Sequence, residues 1–341
     1  MRQELSVSNR VQQYVMLLRE IGMPGKIPKK ANEKERPVPT AELLRLAELN
    51  KISFLYLSNL EDMPPIEAQN RTPDTLDRLS IRNKVLIQTI QEVASIFDKE
   101  KIRYCVFKTI KPFPTTPSDV DILIAKKDFG FAQSILSSSG YNLAAKDEYS
   151  ATMHGKSMIV DLQTQPSVSN LPYLPAEMIL QNSVARNIQG VDVFSPSDEA
   201  ELLTIACHSL YKEQLFTLND YYSIVLLSER IDIGKLVDLA KSTRTLDALQ
   251  IIIEVSVRIT EAAFDSKLRV HEIGKHFGHP SYSPQVLDMP LHFPFSLVLK
   301  MLFSRCLRDP QMRKRFLPAL IRIASPRQFA KLLSHLIRKT Y

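Results

Sequence analysis

Two aspartates one residue apart, Asp119 and Asp121, follow a proline-rich loop in the run FKTIKPFPTTPSDVDILIAK, Phe107 to Lys126. In an extended strand alternate side chains share a face, so this spacing turns both carboxylates to one side while Val120 and Ile122 enter the core. Carboxylates held so close repel unless a cation lies between them. Magnesium suits such a pair because it takes one or two carboxylates and completes its octahedron with water and phosphate oxygens. A third acid, Asp161, ends the apolar run Met158 to Val160 in KSMIVDLQTQ. If its strand lies beside the first, the three acids would hold two metal ions, one activating a hydroxyl and the other neutralising a triphosphate. The same Asp-x-Asp after Ser and Pro also serves as a polar turn into a strand, and spacing alone leaves both readings open.

The elements that must position these acids are readable around them. Tyr104 to Lys108 and Val120 to Ala125 read as short apolar strands, and Phe129 to Leu136 as a short helix ended by Ser-Ser-Ser-Gly. Tyr141 to Leu143, Ser150 to Met153 and Ser157 to Leu162 read as further strands, with a turn at His154-Gly155-Lys156. Upstream, Thr72-Pro73-Asp74 supplies an N-cap, an N1 proline and a first-turn acid. Leu79, Leu86, Ile90, Val93 and Phe97 then line one face of a helix running to about Lys99.

Before that helix, Glu4 to Ile21 reads as a helix through Val11, Val15 and Leu18, and Gly22 to Pro39 as a linker. Thr40 to Leu60 holds one or two short helices. After Ser195-Pro196-Ser197-Asp198 the pattern turns helical at Glu199 to Tyr211, Asp220 to Glu229, Ile233 to Lys241 and Leu246 to Phe264. A loop from His271 to Pro294 precedes basic helices at Ser296 to Leu307, Gln311 to Ile323 and Pro326 to Arg338. The expected class is α+β, a small mixed-sheet core at 72–195 between a helical region with a flexible linker at 1–71 and a helical region with a basic tail at 196–341.

Composition excludes several alternatives. A chain of 341 residues that is 44% hydrophobic and 24% charged is globular rather than disordered. Its cysteines, Cys105, Cys207 and Cys306, are odd in number and far apart, against a disulfide framework and in favour of a cytoplasmic setting. No apolar run approaches the ~20 residues of a membrane span, and Glu4 without an apolar stretch argues against a signal peptide. The net charge of +7 is concentrated at one end, where eleven basic residues from Lys300 onward meet one acid, Asp309. Interleaved with Leu, Ile and Phe, they suit nucleic-acid phosphates, although a solvated face or an anionic membrane surface fits the same pattern.

The order of an apolar strand, Lys108-Thr109, a short loop, the DVDILI strand at Asp119 to Ile124, a helix and then Val160-Asp161-Leu162 resembles the DNA polymerase β-type nucleotidyltransferases, in particular uncharacterised bacterial and archaeal nucleotidyltransferase families. The resemblance covers about residues 80 to 230. It implies transfer of a nucleoside monophosphate from a nucleoside triphosphate, ATP among the candidates, to an acceptor hydroxyl on RNA, protein or a small molecule, with Mg2+ or Mn2+ as cofactor. By the same resemblance Asp119, Asp121 and Asp161 are the metal-holding catalytic acids, and Lys108, Thr109 and Ser118 border the nucleotide. Lys108 departs from the pattern: it stands where the family has a glycine, whose bare backbone approaches the phosphates.

The segment Glu201 to Tyr222 resembles the helical part that follows the catalytic sheet in that superfamily. There His208 and Lys212, four apart on one helix face, are further nucleotide-binding candidates, and Asp220 could cap the next helix. A packed histidine and a solvated lysine are the plainer alternative. His271, Glu272, His276 and His279 could collect zinc but lack the His-Glu-x-x-His spacing and a cysteine partner. No Walker A, Gly-x-Gly-x-x-Gly or Gly-x-Ser-x-Gly motif occurs, which disfavours P-loop, Rossmann and α/β-hydrolase chemistry. A nucleotidyltransferase fold without turnover, binding nucleic acid or a protein partner, is the competing function.

Overall fold

The computed structural model describes residues 7–24, 41–60, 73–168, 171–264, 266–277, 280–285 and 287–308. Most of the expected linker, the cap at Thr72, His279 and the last two basic helices lie outside the described residues. The elements run α1 (Val7–Ile21), α2 (Ala41–Leu49), α3 (Ser53–Leu60), α4 (Pro73–Lys99), β1 (Tyr104–Val106), β2 (Asp119–Ile124), α5 (Phe129–Ser138), β3 (Asn142–Lys146), β4 (Ser150–His154) and β5 (Ile159–Gln163). There follow β6 (Ser167–Val168), β7 (Leu171–Pro172), α6 (Ala176–Gln181), β8 (Ser183–Ile188), β9 (Val191–Pro196), α7 (Asp198–Cys207) and a π-helical turn at His208–Glu213. The remainder is β10 (Leu215–Phe216), α8 (Leu218–Ser228), α9 (Ile233–Ser242), α10 (Leu246–Ala263), α11 (Arg269–Lys275), β11 (Leu291–His292) and α12 (Phe295–Arg308).

The expected α+β class is what the chain adopts: a mixed five-stranded sheet in the order β1-β2-β5-β4-β3, set among helices. Strand β2 pairs antiparallel with β1 and parallel with β5, which pairs antiparallel with β4. The parallel step requires a crossover, and α5 with the β3–β4 hairpin provides it.

Alternation divides the sheet into two faces. Val120, Ile122 and Ile124 of β2 and Val160 and Leu162 of β5 pack with Leu86, Ile90, Val93 and Phe97 of α4 and Ala132 and Leu136 of α5. The opposite parity leaves Asp119, Asp121 and Leu123 on the other face, with Asp161 and Gln163 of β5. Leu123, with Cys105 and Phe107, joins a larger core containing Leu17 and Leu18 of α1, Ile179 of α6, Leu203 of α7 and Ile252 of α10.

Several boundaries differ from the sequence reading for identifiable reasons. The first strand ends at Val106 and not at Lys108, because Lys108 turns into the left-handed region with φ 62°. The helix expected from Glu199 to Tyr211 is α-helical only to Cys207 and closes in the π turn. Asp220 sits at the third position of α8, not at its cap; Thr217 is the cap, and the two exchange side-chain hydrogen bonds as a capping box. The loop expected from His271 begins instead inside α11, where His271 is buried and its Nδ1 accepts the Leu268 N–H at 3.1 Å.

The hairpin β8–β9 was not anticipated. Gln189 and Gly190, both at positive φ (50° and 91°), form the kind of two-residue turn that matches strand twist, and Gly190 is the sequence signal for it. Arg305, counted in the basic tail, is not on a solvated face: it is buried, and its guanidinium donates to the carbonyls of Tyr173 and Thr243.

Candidate active site

The parallel register of β2 and β5 sets Asp121 directly beside Asp161. Asp119 stands one pleat away on the same face, and one carboxylate oxygen from each of the three acids lies within 4.8 Å of the others. Among the described residues this is the one such group of potential metal ligands. Each aspartate is partly buried, so the repulsion is poorly screened. Burial, and next the Asp121 charge, push the Asp119 carboxyl above the usual carboxylate range.

Neighbouring groups hold each acid in place. Ser118 Oγ donates to Asp119 Oδ1 at 2.8 Å. The backbone N–H of Asp121 donates to Thr109 Oγ1 at 2.9 Å, and the Asp121 carbonyl accepts the Phe107 N–H at 3.1 Å. Asp121 Oδ1 accepts from Gln163 Nε2 at 2.6 Å and faces Lys108 Nζ at 3.1 Å. Asp161 Oδ1 is buried with no hydrogen-bond partner among the described residues. A buried carboxylate oxygen left unpaired beside two further carboxylates fits a hard divalent cation, which takes oxygen ligands.

Lys108 adopts a left-handed backbone, φ 62°, the conformation that favours glycine. Its N–H donates to both oxygens of the buried Glu201 carboxylate, at 3.0 and 3.3 Å. Lys111 Nζ lies 4.0 Å from the same carboxylate. Burial pushes Glu201 up, against the pull of Lys111, and pushes the Lys111 ammonium down. Glu201 thus closes the back of the site. Sequence reading missed it, since an acid in the first turn of a helix, here beside Asp198 and Glu199, ordinarily faces water; the one available signal was the apolar Leu202-Leu203 directly after it.

The π turn carries the two helical candidates to this face. His208 Nδ1 meets the Tyr173 hydroxyl at 3.1 Å, and Nε2 lies 3.4 Å from Glu213. Burial, then the Lys108 and Lys212 charges, hold the imidazole well below its ordinary range, so it is neutral near pH 7. Lys212 feels Lys108 most strongly: that charge, and then burial, lower its ammonium, while Asp121, Glu213 and Asp161 favour it. The fold therefore gathers Asp119, Asp121, Asp161, Lys108, Thr109 and Ser118 around one point, with the Lys212 charge felt there and His208 packed against Tyr173.

No curated protein sequence matches the chain. Among solved structures, the antibiotic-resistance factor ANT(2'')-Ia in solution is similar at 13% identity, over 49% of this chain and 95% of that one, with a TM-score of 0.36. ANT(2'')-Ia in complex with adenylyl-2''-tobramycin is 12% identical over 48% of this chain and 98% of that one, with a TM-score of 0.35. An antigenic nucleotidyltransferase-like protein from Paracoccidioides brasiliensis is 16% identical over 48% and 92%, with a TM-score of 0.32. No described helix is long and apolar enough to cross a membrane. Residues 114–261, the stretch that holds all three carboxylates and the π turn, match the family described as "Uncharacterised nucleotidyltransferase", which is consistent with the nucleotidyltransferase superfamily.

Proposed function

We propose that the protein transfers a nucleoside monophosphate from a nucleoside triphosphate to an acceptor hydroxyl, with Mg2+ or Mn2+ held by Asp119, Asp121 and Asp161. One observation carries this reading: the Asp121–Asp161 register on adjacent parallel strands, with Asp119 completing the cluster within 4.8 Å. A divalent ion so held neutralises a triphosphate and acidifies a hydroxyl.

The chain's own groups supply the rest. Asp161, with its unpaired oxygen, accepts the acceptor hydroxyl's proton. The acceptor oxygen bonds to the α-phosphorus as the bond from that phosphorus to the bridging oxygen breaks, and pyrophosphate leaves. Lys108 and Lys212 bring positive charge to the phosphates, while Thr109 and Ser118 orient Asp121 and Asp119. Nucleic acid is the acceptor class that the basic stretch after Lys300 suits; protein and small-molecule hydroxyls are served equally well by the same acids.

A second reading, a binding module without turnover, rests on Lys108: its left-handed backbone and its ammonium on Asp121 fill space that glycine would leave to phosphate. The test is transfer of label from each of the four α-labelled nucleoside triphosphates to an acceptor, with the pyrophosphate released measured alongside, with and without Mg2+ or Mn2+, and with RNA as the first acceptor. Metal-dependent transfer supports the enzyme. No binding of any of the four nucleotides with either metal, while RNA binding with a steep salt dependence persists, supports the module.

A further inference from the structure

The Lys108 side chain is almost fully enclosed, 6% exposed, with its Nζ 3.1 Å from Asp121 Oδ1 and 4.6 Å from the centre of the Phe107 ring. Its backbone is fixed independently: φ is 62°, and the N–H is clamped by the Glu201 carboxylate. This anchoring aims the side chain at the carboxylate cluster. Yet Nζ makes no hydrogen bond of good geometry among the described residues, so its hold on Asp121 is charge attraction plus the ring face. An ammonium held by charge alone at the edge of three carboxylates is a placeholder that a stronger cation can move.

Resting on the proposed metal site, we infer that Lys108 is a built-in counter-cation of the Asp119–Asp121–Asp161 cluster, displaced from Asp121 when a divalent cation enters and received by the phosphates of the nucleotide. Metal and nucleotide then bind cooperatively through one residue. A metal ion arriving alone strands a buried ammonium beside a divalent charge, which weakens its binding. A triphosphate arriving with it gives that ammonium a new anionic partner, and by linkage each ligand tightens the other. With Lys108 on Asp121 the cluster is also partly neutralised before either ligand binds.

The experiment measures Mn2+ binding by electron paramagnetic resonance on the full chain, alone and with the α,β-methylene analogues of ATP, GTP, CTP and UTP. Wild type is compared with Lys108→Met and Lys108→Gln, which keep a side chain at this backbone position but remove the charge, with Lys108→Arg, which keeps it, and with Lys108→Gly, which relaxes the backbone. Expected is weak Mn2+ binding to wild type, tightened about tenfold or more by an analogue. Lys108→Met and Lys108→Gln should bind Mn2+ alone about tenfold tighter than wild type and gain less from the analogue, keeping only the direct metal–phosphate coupling, whereas Lys108→Arg should retain the wild-type coupling. Near-ultraviolet circular dichroism identifies which neutral variant keeps the native packing.

Asp121-dependent Mn2+ binding that is unchanged or weaker in the folded neutral variant overturns the counter-cation role and leaves the metal site standing. Mn2+ binding to neither wild type nor neutral variant, with every analogue present, overturns the metal site and the inference together. Tightening in Lys108→Gly alone would assign the effect to backbone strain and overturn the charge argument.

Discussion

Thr109 and Asp121 are joined across twelve residues by a hydrogen bond from the Asp121 backbone N–H to Thr109 Oγ1, 2.9 Å long, in a part of the sheet closed to water on the Thr109 side. The same hydroxyl donates to the Phe107 carbonyl at 3.3 Å, so one side chain ties the loop after β1 to the strand bearing the acids. Thr109→Val keeps the shape and removes the hydroxyl, leaving the Asp121 N–H unpaired. Expected is a loss of about 1–3 kcal/mol in urea unfolding, with Thr109→Ser close to wild type. Equal stability of the valine and serine variants would show that the hydroxyl is replaced by solvent.

Asp121→Asn is nearly isosteric and should separate chemistry from folding. Its Oδ1 already receives Gln163 Nε2, so a fold built on that contact survives a rotated amide. On the proposed function, pyrophosphate release should fall by about 10³ or more, with the circular dichroism spectrum unchanged, because a neutral amide neither holds the cation nor balances its charge. Residual turnover within a few-fold of wild type would remove Asp121 from the metal site.

How far the sequence shows this arrangement depends on range. The common face of Asp119 and Asp121 follows from period-two alternation, a local property, and the long α4 follows from its apolar stripe. The adjacency of Asp121 and Asp161 is a pairing between residues about 40 positions apart in the chain, and no local pattern encodes it; the family resemblance alone pointed there. Lys108 reads as an ordinary strand residue, and only its φ of 62° and the Glu201 carboxylate behind it explain why the strand stops early. Arg305 reads as surface charge because sequence does not show that two carbonyls, from Tyr173 and Thr243, wait for it in the core.

Glu201 should be among the least replaceable residues outside the carboxylate cluster. Removing it orphans the Lys108 N–H and leaves the enclosed Lys111 ammonium without its nearby counter-charge. Glu201→Ala is expected to cost about 3–5 kcal/mol, the range for breaking a buried charge pair from one side. Glu201→Gln retains an acceptor for the N–H and should cost clearly less. Equal losses in the two variants, measured by urea denaturation, would show that the carboxylate's charge and not its hydrogen bond is what the site requires.

Gly155 turns the chain between β4 and β5, ahead of the strand that delivers Asp161. A Cβ placed there would lie 2.6 Å from the Tyr141 ring and 2.9 Å from the Met158 carbonyl, and the carbonyl is backbone that cannot step aside cheaply. Gly155→Ala should therefore destabilise the protein by about 1–3 kcal/mol and loosen the strand bearing Asp161. Hydrogen exchange at Val160 and Leu162 reads the second effect. Wild-type stability and protection in the alanine variant would show that the turn relaxes freely.

His208 gives the fold a defined acid sensitivity. It is packed against Tyr173 and Glu213, and burial together with Lys108, Lys212, Lys51 and Lys111 opposes its protonation; Glu213, 3.4 Å from Nε2, pulls the other way and is outweighed. In the unfolded chain the ring takes a proton near pH 6.5, whereas the folded protein takes it only at lower pH. Between those two values the unfolded state binds more protons, so stability rises with pH through that window and is lost as pH falls below about 6.5, with a slope of up to about 1.4 kcal/mol per pH unit. Urea midpoints across about pH 5 to 7 should show this slope in wild type and a shallower one in His208→Gln, which keeps a hydrogen-bonding side chain but does not titrate. A ring titration midpoint above 6.5 by nuclear magnetic resonance would reverse the sign, making Glu213 the dominant neighbour of His208 and protonation a stabilising event.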